Sequence, residues 1–196
     1  MIKEMTLMEN IIREVYEEVK DRCYAPSNHF GSGTWDYHIK LVYEIAVNNC
    51  GLYGANKDIV ALASLLHDVA SITDASFKKE HHIIGAEIAE EILEKYNLDD
   101  NDVKLIKDCI MNHRGSVLNE KNTPEEVCVA DSDAIAHFYS VVSLFKTVYG
   151  DKGMSIDEGR EYVYNKLQRS YNKLSEIGRN IVKPYYDAVE ILFNKK

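Results

Sequence analysis

Apolar residues recur every three to four positions along almost the whole chain, and alternating period-two runs are scarce. That spacing is the mark of amphipathic helices, not strands. In residues 5–22, Ile11, Ile12, Val15 and Val19 form one stripe against Glu9, Arg13, Glu14, Glu17, Glu18 and Lys20. The stretch "APSNHFGSG" then breaks the pattern. A second helix is expected over residues 35–49, with Ile39, Val42, Tyr43 and Ala46 on its inner side and a stop near Gly51. The third, over 57–70, is apolar nearly all round and is expected to be the central buried helix. Residues 71–80 read as a loop, 82–96 as a helix with Ile84, Ile88, Ile92 and Leu93 inward, and 100–112 as the next.

Two helix starts are written in cap chemistry. Thr123, Pro124 and Glu126 supply a cap, a first-turn proline and a capping-box acid for a helix running to about residue 149. Ser155 and Glu158 repeat the device for a helix reaching about Ile177, near Gly178, and a last helix covers 181–193. The expectation is all-α: a single-domain helical bundle over residues 1–196.

Composition narrows the range of partners. With 196 residues, 45% of them hydrophobic, the chain can bury one compact core. A formal net charge of -9 argues against a surface that coats duplex nucleic acid, which needs clustered Lys and Arg. Cys23, Cys50, Cys109 and Cys128 are far apart and form no C-x-x-C pair, so they read as small buried hydrophobes in a reducing compartment. The N-terminal stretch "MIKEMTLMENIIREVYEEVK" lacks a continuous apolar region, and no run approaches the ~18 apolar residues of a membrane span. A cytoplasmic protein with no membrane partner is expected.

The chemistry shows where polar residues interrupt the apolar pattern. In "ALASLLHDVASITD", residues 61–74, His67 and Asp68 stand side by side in what reads as helix interior. His38 in "WDYHIKLV", His113 in "CIMNHRGS" and Asp131 in "VCVADSDAIAHF" interrupt other helices, and His81 and His82 start one in "KEHHIIGAE". A lone histidine at a helix end is ordinarily just hydrogen-bonded, and a lone aspartate can pair with a lysine. The set together is harder to explain that way, because each buried charge or unpaired polar group costs several kcal/mol. A divalent ion (Mn, Fe, Ni, Co, Zn or Mg) would satisfy imidazoles and carboxylates at once. Neighbours on a helix lie roughly 100° apart, so His67 and Asp68 can flank one ion.

The order His38, His67-Asp68, Asp131 resembles the HD superfamily of metal-dependent phosphohydrolases. The segments "DYHIKLVYEIA", "ALASLLHDVASI", "HHIIGAEIAEEIL", "IKDCIMNHRGS" and "EEVCVADSDAIAHF" resemble family segments in order and spacing, over about residues 34–148. The likeness is nearest to small bacterial members, some of which cleave nucleotides. It implies an all-helical fold with the metal at the bundle centre, held by His38, His67, Asp68 and Asp131, the last preferred over Asp133. Members holding two metals add a histidine four residues before a glycine, matched here by His81 and Gly85, and another in the slot of His113. Many of them also carry a lysine where this chain has Ser71. The residues flanking this core read as supporting helices.

The resemblance implies metal-assisted hydrolysis of a phosphate ester or anhydride, with a nucleotide as the small-molecule substrate. The ion would lower the pKa of its water toward about 7. Asp68, His81 and His113 are the expected catalytic groups, and His82, Lys78, Lys79 and Arg114 the expected substrate contacts. One tightly held ion is expected, with a second bound weakly or together with substrate. A di-iron oxygenase and a non-catalytic ligand-binding module are the alternatives. Tyr37 and Tyr139 read as packing residues, and His29 and His137 are assigned no role.

Overall fold

The computed structural model describes residues 5–114 and 120–193, apart from the side chain of Lys78. All regular elements among them are helical. Helix α1 (Leu7–Tyr24) starts at the capping box of Thr6 and Glu9 and turns Ile11, Val15 and Val19 inward. A π-helical turn, Trp35–Ile39, leads into α2 (Lys40–Tyr53). Helix α3 (Lys57–Leu66) is buried at every residue from Ile59 onward, as its all-round apolar pattern requires.

Where the sequence reads one helix over 57–70, the structure has two. Helix α3 stops at Leu66, and a short α4 (Val69–Thr73) restarts beyond the His67-Asp68 pair. The expected loop over 71–80 is therefore partly helical: α4 occupies its start, and a 3-10 turn spans Ala75–Lys79. Helices α5 (His81–Leu93) and α6 (Asp100–Asn112) follow.

Helix α7 (Pro124–Tyr139) begins at the Thr123 cap, although the Glu126 carboxylate goes to the Thr123 hydroxyl and the Asn122 N–H, not to the Thr123 N–H. It ends ten residues before the expected position because Ser140 leaves helical geometry (φ -114°, ψ 39°). Helix α8 (Val141–Phe145) and a π-helical turn (Lys146–Asp151) continue the chain. Helix α9 (Ile156–Lys173) starts at the Ser155/Glu158 capping box. Helix α10 (Glu176–Phe193) completes the fold.

Gly178 is not the helix stop that its position suggested. It lies in the first turn of α10, where a Cβ would sit 2.4 Å from Asp131 Oδ2. Asp131 anchors that helix. Ser175 N–H donates to Asp131 Oδ1 at 3.1 Å, the Ser175 hydroxyl donates to Oδ2, and the Tyr53 hydroxyl donates to Oδ2 at 3.0 Å. The Ser175 oxygen in turn accepts the Gly178 N–H at 3.2 Å, capping α10.

Helix α7 links the two apolar clusters of the core. Cys128 and Val129 pack with α1, α3, α5 and α6, whereas Ala134, Ile135, Ala136 and Phe138 pack with α9 and α10. Helix α2 lies along α7 and α3, and α6 packs on α5, α3 and α7. Each fully buried leucine or isoleucine in these clusters is worth about 1.5–3 kcal/mol. The polar residues of α7 thus sit where it passes from one cluster to the other.

Gly178→Ala tests the Asp131 anchor. Helix propensity alone favours alanine by about 1 kcal/mol. The added methyl instead meets a carboxylate already held by three donors, so we expect a net loss of about 1–3 kcal/mol and a thermal midpoint several degrees lower. An unchanged or raised midpoint would show that Asp131 yields freely.

Candidate metal centre

The break after Leu66 is made by the histidine itself. His67 Nδ1 donates to the Ser64 carbonyl at 2.7 Å, taking the acceptor that a continuing helix would offer to the Asp68 N–H. Asp68 falls in the bridge region (φ -113°, ψ 17°), which turns its carboxylate away from the helix line. His113 repeats the device at the end of α6, with Nδ1 donating to the Ile110 carbonyl at 2.5 Å. In both rings the Nδ1 proton is committed to backbone, so Nε2 carries a lone pair into the interior.

Around Asp68 the remaining side chains fall into two sets. His38, His67 and Asp133 offer ligand atoms within 4.8 Å of one another, and so do Asp68, His81 and His113. Asp68 joins the sets through its two oxygens. Oδ2 lies 3.3 Å from His38 Nε2 and 3.6 Å from His67 Nε2, while Oδ1 lies 3.6 Å from His81 Nε2 and 4.0 Å from His113 Nε2. His38 Nε2 is 3.2 Å from His67 Nε2 and 3.6 Å from Asp133 Oδ1. Ser71, at the position where a lysine was noted as common, donates to Asp68 Oδ1 at 3.4 Å.

Each group reaches this point for a local reason. The π turn carries His38 between the buried Trp35 and Ile39; such turns shift helical register and recur at functional sites. His81 is the first residue of α5. Gly85, one turn later, lets α5 approach the Ile110 side chain and the His67 carbonyl, which a Cβ would meet at 3.4 and 3.8 Å.

The electrostatics follow from burial and from the mutual approach of acids and imidazoles. Burial keeps His67 and His113 neutral and lowers the pKa of His113 to about 3. Burial acts the same way on His38, but Asp68 and Asp133 outweigh it and raise its pKa. Burial opposes ionising Asp68, yet His67, His38 and His113 hold its carboxyl well below the usual range. Asp133 is held low against burial by Lys173, His137 and His38. Inward lone pairs and ionised carboxylates packed this closely repel unless a cation or proton lies among them. Two or more imidazoles with carboxylates are a donor set that a divalent ion fits.

Asp131, expected as a metal ligand, does not face the other groups. Its carboxylate is engaged by Tyr53 and Ser175, and Asp133 takes the place beside His38. Two residues apart on a helix, the two acids point roughly 200° from each other, so only one can face the centre. The sequence carries a signal for which acid faces the centre: one turn from Asp133 stands His137, whereas one turn from Asp131 stand Val127 and Ile135.

His137, to which no role was given, packs its ring 5.6 Å from His38 and lies 3.3 Å from the Ser170 hydroxyl through Nδ1. Lys173 donates to Asp133 Oδ2 at 2.8 Å. Of the expected substrate contacts, His82 is buried beside His81, and its Nδ1 meets no partner among the described residues. Arg114 donates to the Lys79 carbonyl, tying the end of α6 to the 3-10 turn, and the Lys79 side chain is exposed. The Lys78 side chain lies outside the described residues.

These shifts predict the acid response of the metal-free protein. An unfolded imidazole titrates near 6.5, whereas folded His113 does so at about 3, so between those values the unfolded chain binds the extra proton and stability falls as pH falls. His67 and His137 act with the same sign. His38, whose pKa is raised, contributes stability below 6.5 that is lost as pH rises through its folded value. With His67, His82, His113 and His137 lowered against His38 raised, the thermal midpoint of metal-free protein should drop steadily below about pH 6.5. A midpoint unchanged down to about pH 4.5 would contradict this electrostatic account.

The HD domain model matches residues 35–137, more than half of the chain. Lin1889 from Listeria innocua superposes with a TM-score of 0.70 at 17% identity, over 96% of this chain and 94% of that one. An HD-superfamily hydrolase from Bacillus thuringiensis gives 0.71 at 19% identity, over 94% of both chains. Bacillus subtilis YpgQ in complex with ADP gives 0.69 at 16% identity, over 92% and 93%. Among curated sequences, an uncharacterized protein of Clostridium beijerinckii is 33% identical over 61 residues, and Ribonuclease Y of Thermotoga petrophila is 35% identical over 83. Those matches take in 31% and 42% of this chain and span only 39% and 14% of the relatives' lengths. Among the described residues, no single helix is long and apolar enough to cross a membrane. Helices, site histidines and the matched segment agree: the chain belongs to the HD domain family.

Proposed function

We propose that this chain is a metal-dependent phosphohydrolase acting on a phosphate ester or anhydride of a nucleotide. The observation that carries this reading is Asp68, whose two carboxylate oxygens each face a separate pair of histidines. His38, His67, Asp68 and Asp133 are the residues that would hold one divalent ion tightly. Asp68, His81 and His113 would take the phosphoryl group, or a second ion arriving with it. When bound, the metal supplies charge neutralisation at the phosphoryl oxygens and acidifies water. The ADP complex of the structural neighbour YpgQ supports a nucleotide over the substrates of a di-iron oxygenase.

The chain's own residues have separable tasks. Lys173 fixes the rotamer of Asp133 through their 2.8 Å ion pair. His113, with its pKa near 3, stays unprotonated at neutral pH and therefore acts as an acceptor or ligand, not as a proton donor. His81, at the start of α5 and partly open to solvent, is the imidazole best placed to meet substrate. Lys79 and Arg114 flank that side and are assigned to its rim, with His82 buried behind His81.

Two substitutions two residues apart separate ligand from anchor. Asp133→Asn should lose the ion on dialysis and reduce hydrolysis by about 100-fold or more, while Asp131→Asn should keep the ion and lower the thermal midpoint. Elemental analysis, calorimetric melting and a nucleotide hydrolysis panel read this out. Metal loss in Asp131→Asn with retention in Asp133→Asn would reverse the assignment. For the parent, close to one equivalent should survive dialysis, and His113→Ala should impair turnover more than retention of that ion. Two equivalents in the parent, one of them lost in His113→Ala, would make the centre binuclear. A metal-loaded parent that hydrolyses none of the panel would favour the non-catalytic module.

A further inference from the structure

Helix α9 lies beyond the segment matched by the family model, and nothing in its sequence marked it as part of a site. Its residues Lys166, Ser170 and Lys173 recur at helical spacing and share one face. That face meets α7 at the centre: Lys173 is bound to Asp133, and the Ser170 hydroxyl lies against His137. Lys166, one turn before Ser170, is partly buried and close enough to Asp133, His38 and His137 to act on all three electrostatically.

The two lysines differ in what their charge already does. Lys173 is committed to Asp133, which makes it a positioning residue. Lys166 forms no hydrogen bond or ion pair with any described residue; Asp133 attracts it from a distance, while Lys173 and Arg169 repel it. The carboxylate that attracts it, Asp133, is already bound to Lys173, and a divalent ion at the centre would add to the repulsion. An anion lying between the two removes the conflict, because it can accept from the ammonium while facing the ion.

We propose that Lys166 is the anion-binding arm of this centre, donating to a non-bridging oxygen of the substrate's phosphoryl group. The placement rests on the phosphohydrolase reading for the substrate's identity, but the affinity for a phosphate anion does not. It gives α9 a role in binding and has the phosphoryl group at Asp68, His81 and His113 extend an oxygen toward the side of the centre bounded by α7 and α9. A phosphate taken up there is recognised by charge and hydrogen bonding from one lysine, independently of the nucleoside.

The test uses full-length, manganese-loaded protein with inorganic phosphate as the probe, followed by titration calorimetry, alongside manganese content and nucleotide hydrolysis. Lys166→Met and Lys166→Gln should weaken phosphate binding by about tenfold or more, the loss of one charge-assisted hydrogen bond, with manganese content and helical circular dichroism unchanged. Lys166→Arg should retain most of the affinity. Phosphate affinity unchanged in both neutral variants, with hydrolysis intact in the parent, overturns the proposal and leaves the hydrolase reading standing. Lysine-dependent phosphate binding in a parent that hydrolyses nothing does the opposite. Loss of manganese in Lys166→Gln and Lys166→Met also overturns the proposal, since Lys166 would then be maintaining the metal ligands. A parent that binds no phosphate overturns it as well.

Discussion

A single carboxylate, that of Asp68, has two oxygens and must serve two groups of imidazoles, and much of the local architecture is arranged around that constraint. Oδ2 faces His38 and His67, and Oδ1 faces His81 and His113. These residues come from the π turn before α2, the end of α3, the start of α5 and the end of α6. A continuous helix through residues 57–70 could not present Asp68 to all of them. The chain accepts the break and covers it with the Ser64 carbonyl bonded to His67. The same bond pattern at His113 shows that a helix-ending histidine is used twice to aim Nε2 inward.

The two acids of "ADSDA" divide the work of α7. Asp133 joins the centre, steadied by Lys173. Asp131 points the other way and docks the start of α10 through Ser175, with Tyr53 of α2 bound to the same carboxylate. One turn of α7 therefore ties the centre to the C-terminal helices, and the Gly178 contact shows how closely they approach. Burying these charges is tolerable only because each is matched by hydrogen bonds or by opposite charge.

Much of this was legible in the residue pattern. The helical period, the Thr123 and Ser155 caps and the bounds of α6 all appear where the spacing places them. His38, His67, Asp68, His81 and His113 do gather at one point, as their shared interruption of apolar faces implied. Helix breaks were less visible: the one at His67-Asp68 turns on a histidine ring bonded to the Ser64 carbonyl, and the one at Leu174-Ser175 on a tertiary bond to Asp131. A carboxylate serving two histidine pairs and an aspartate capping a distant helix leave no local mark in composition. The choice between Asp131 and Asp133 depended on which face of α7 turns toward the centre, and the role of α9 on contacts between residues up to 40 positions apart.

Anomalous scattering from crystals grown with manganese tests the central claim most directly, because it locates the ion independently of any activity. The account predicts one strong peak about 2.0–2.4 Å from His38 Nε2, His67 Nε2 and carboxylate oxygens of Asp68 and Asp133, with Asp131 still bound to Ser175 and Tyr53. A peak ligated by Asp131, or no peak among these four residues in manganese-saturated crystals, would contradict it.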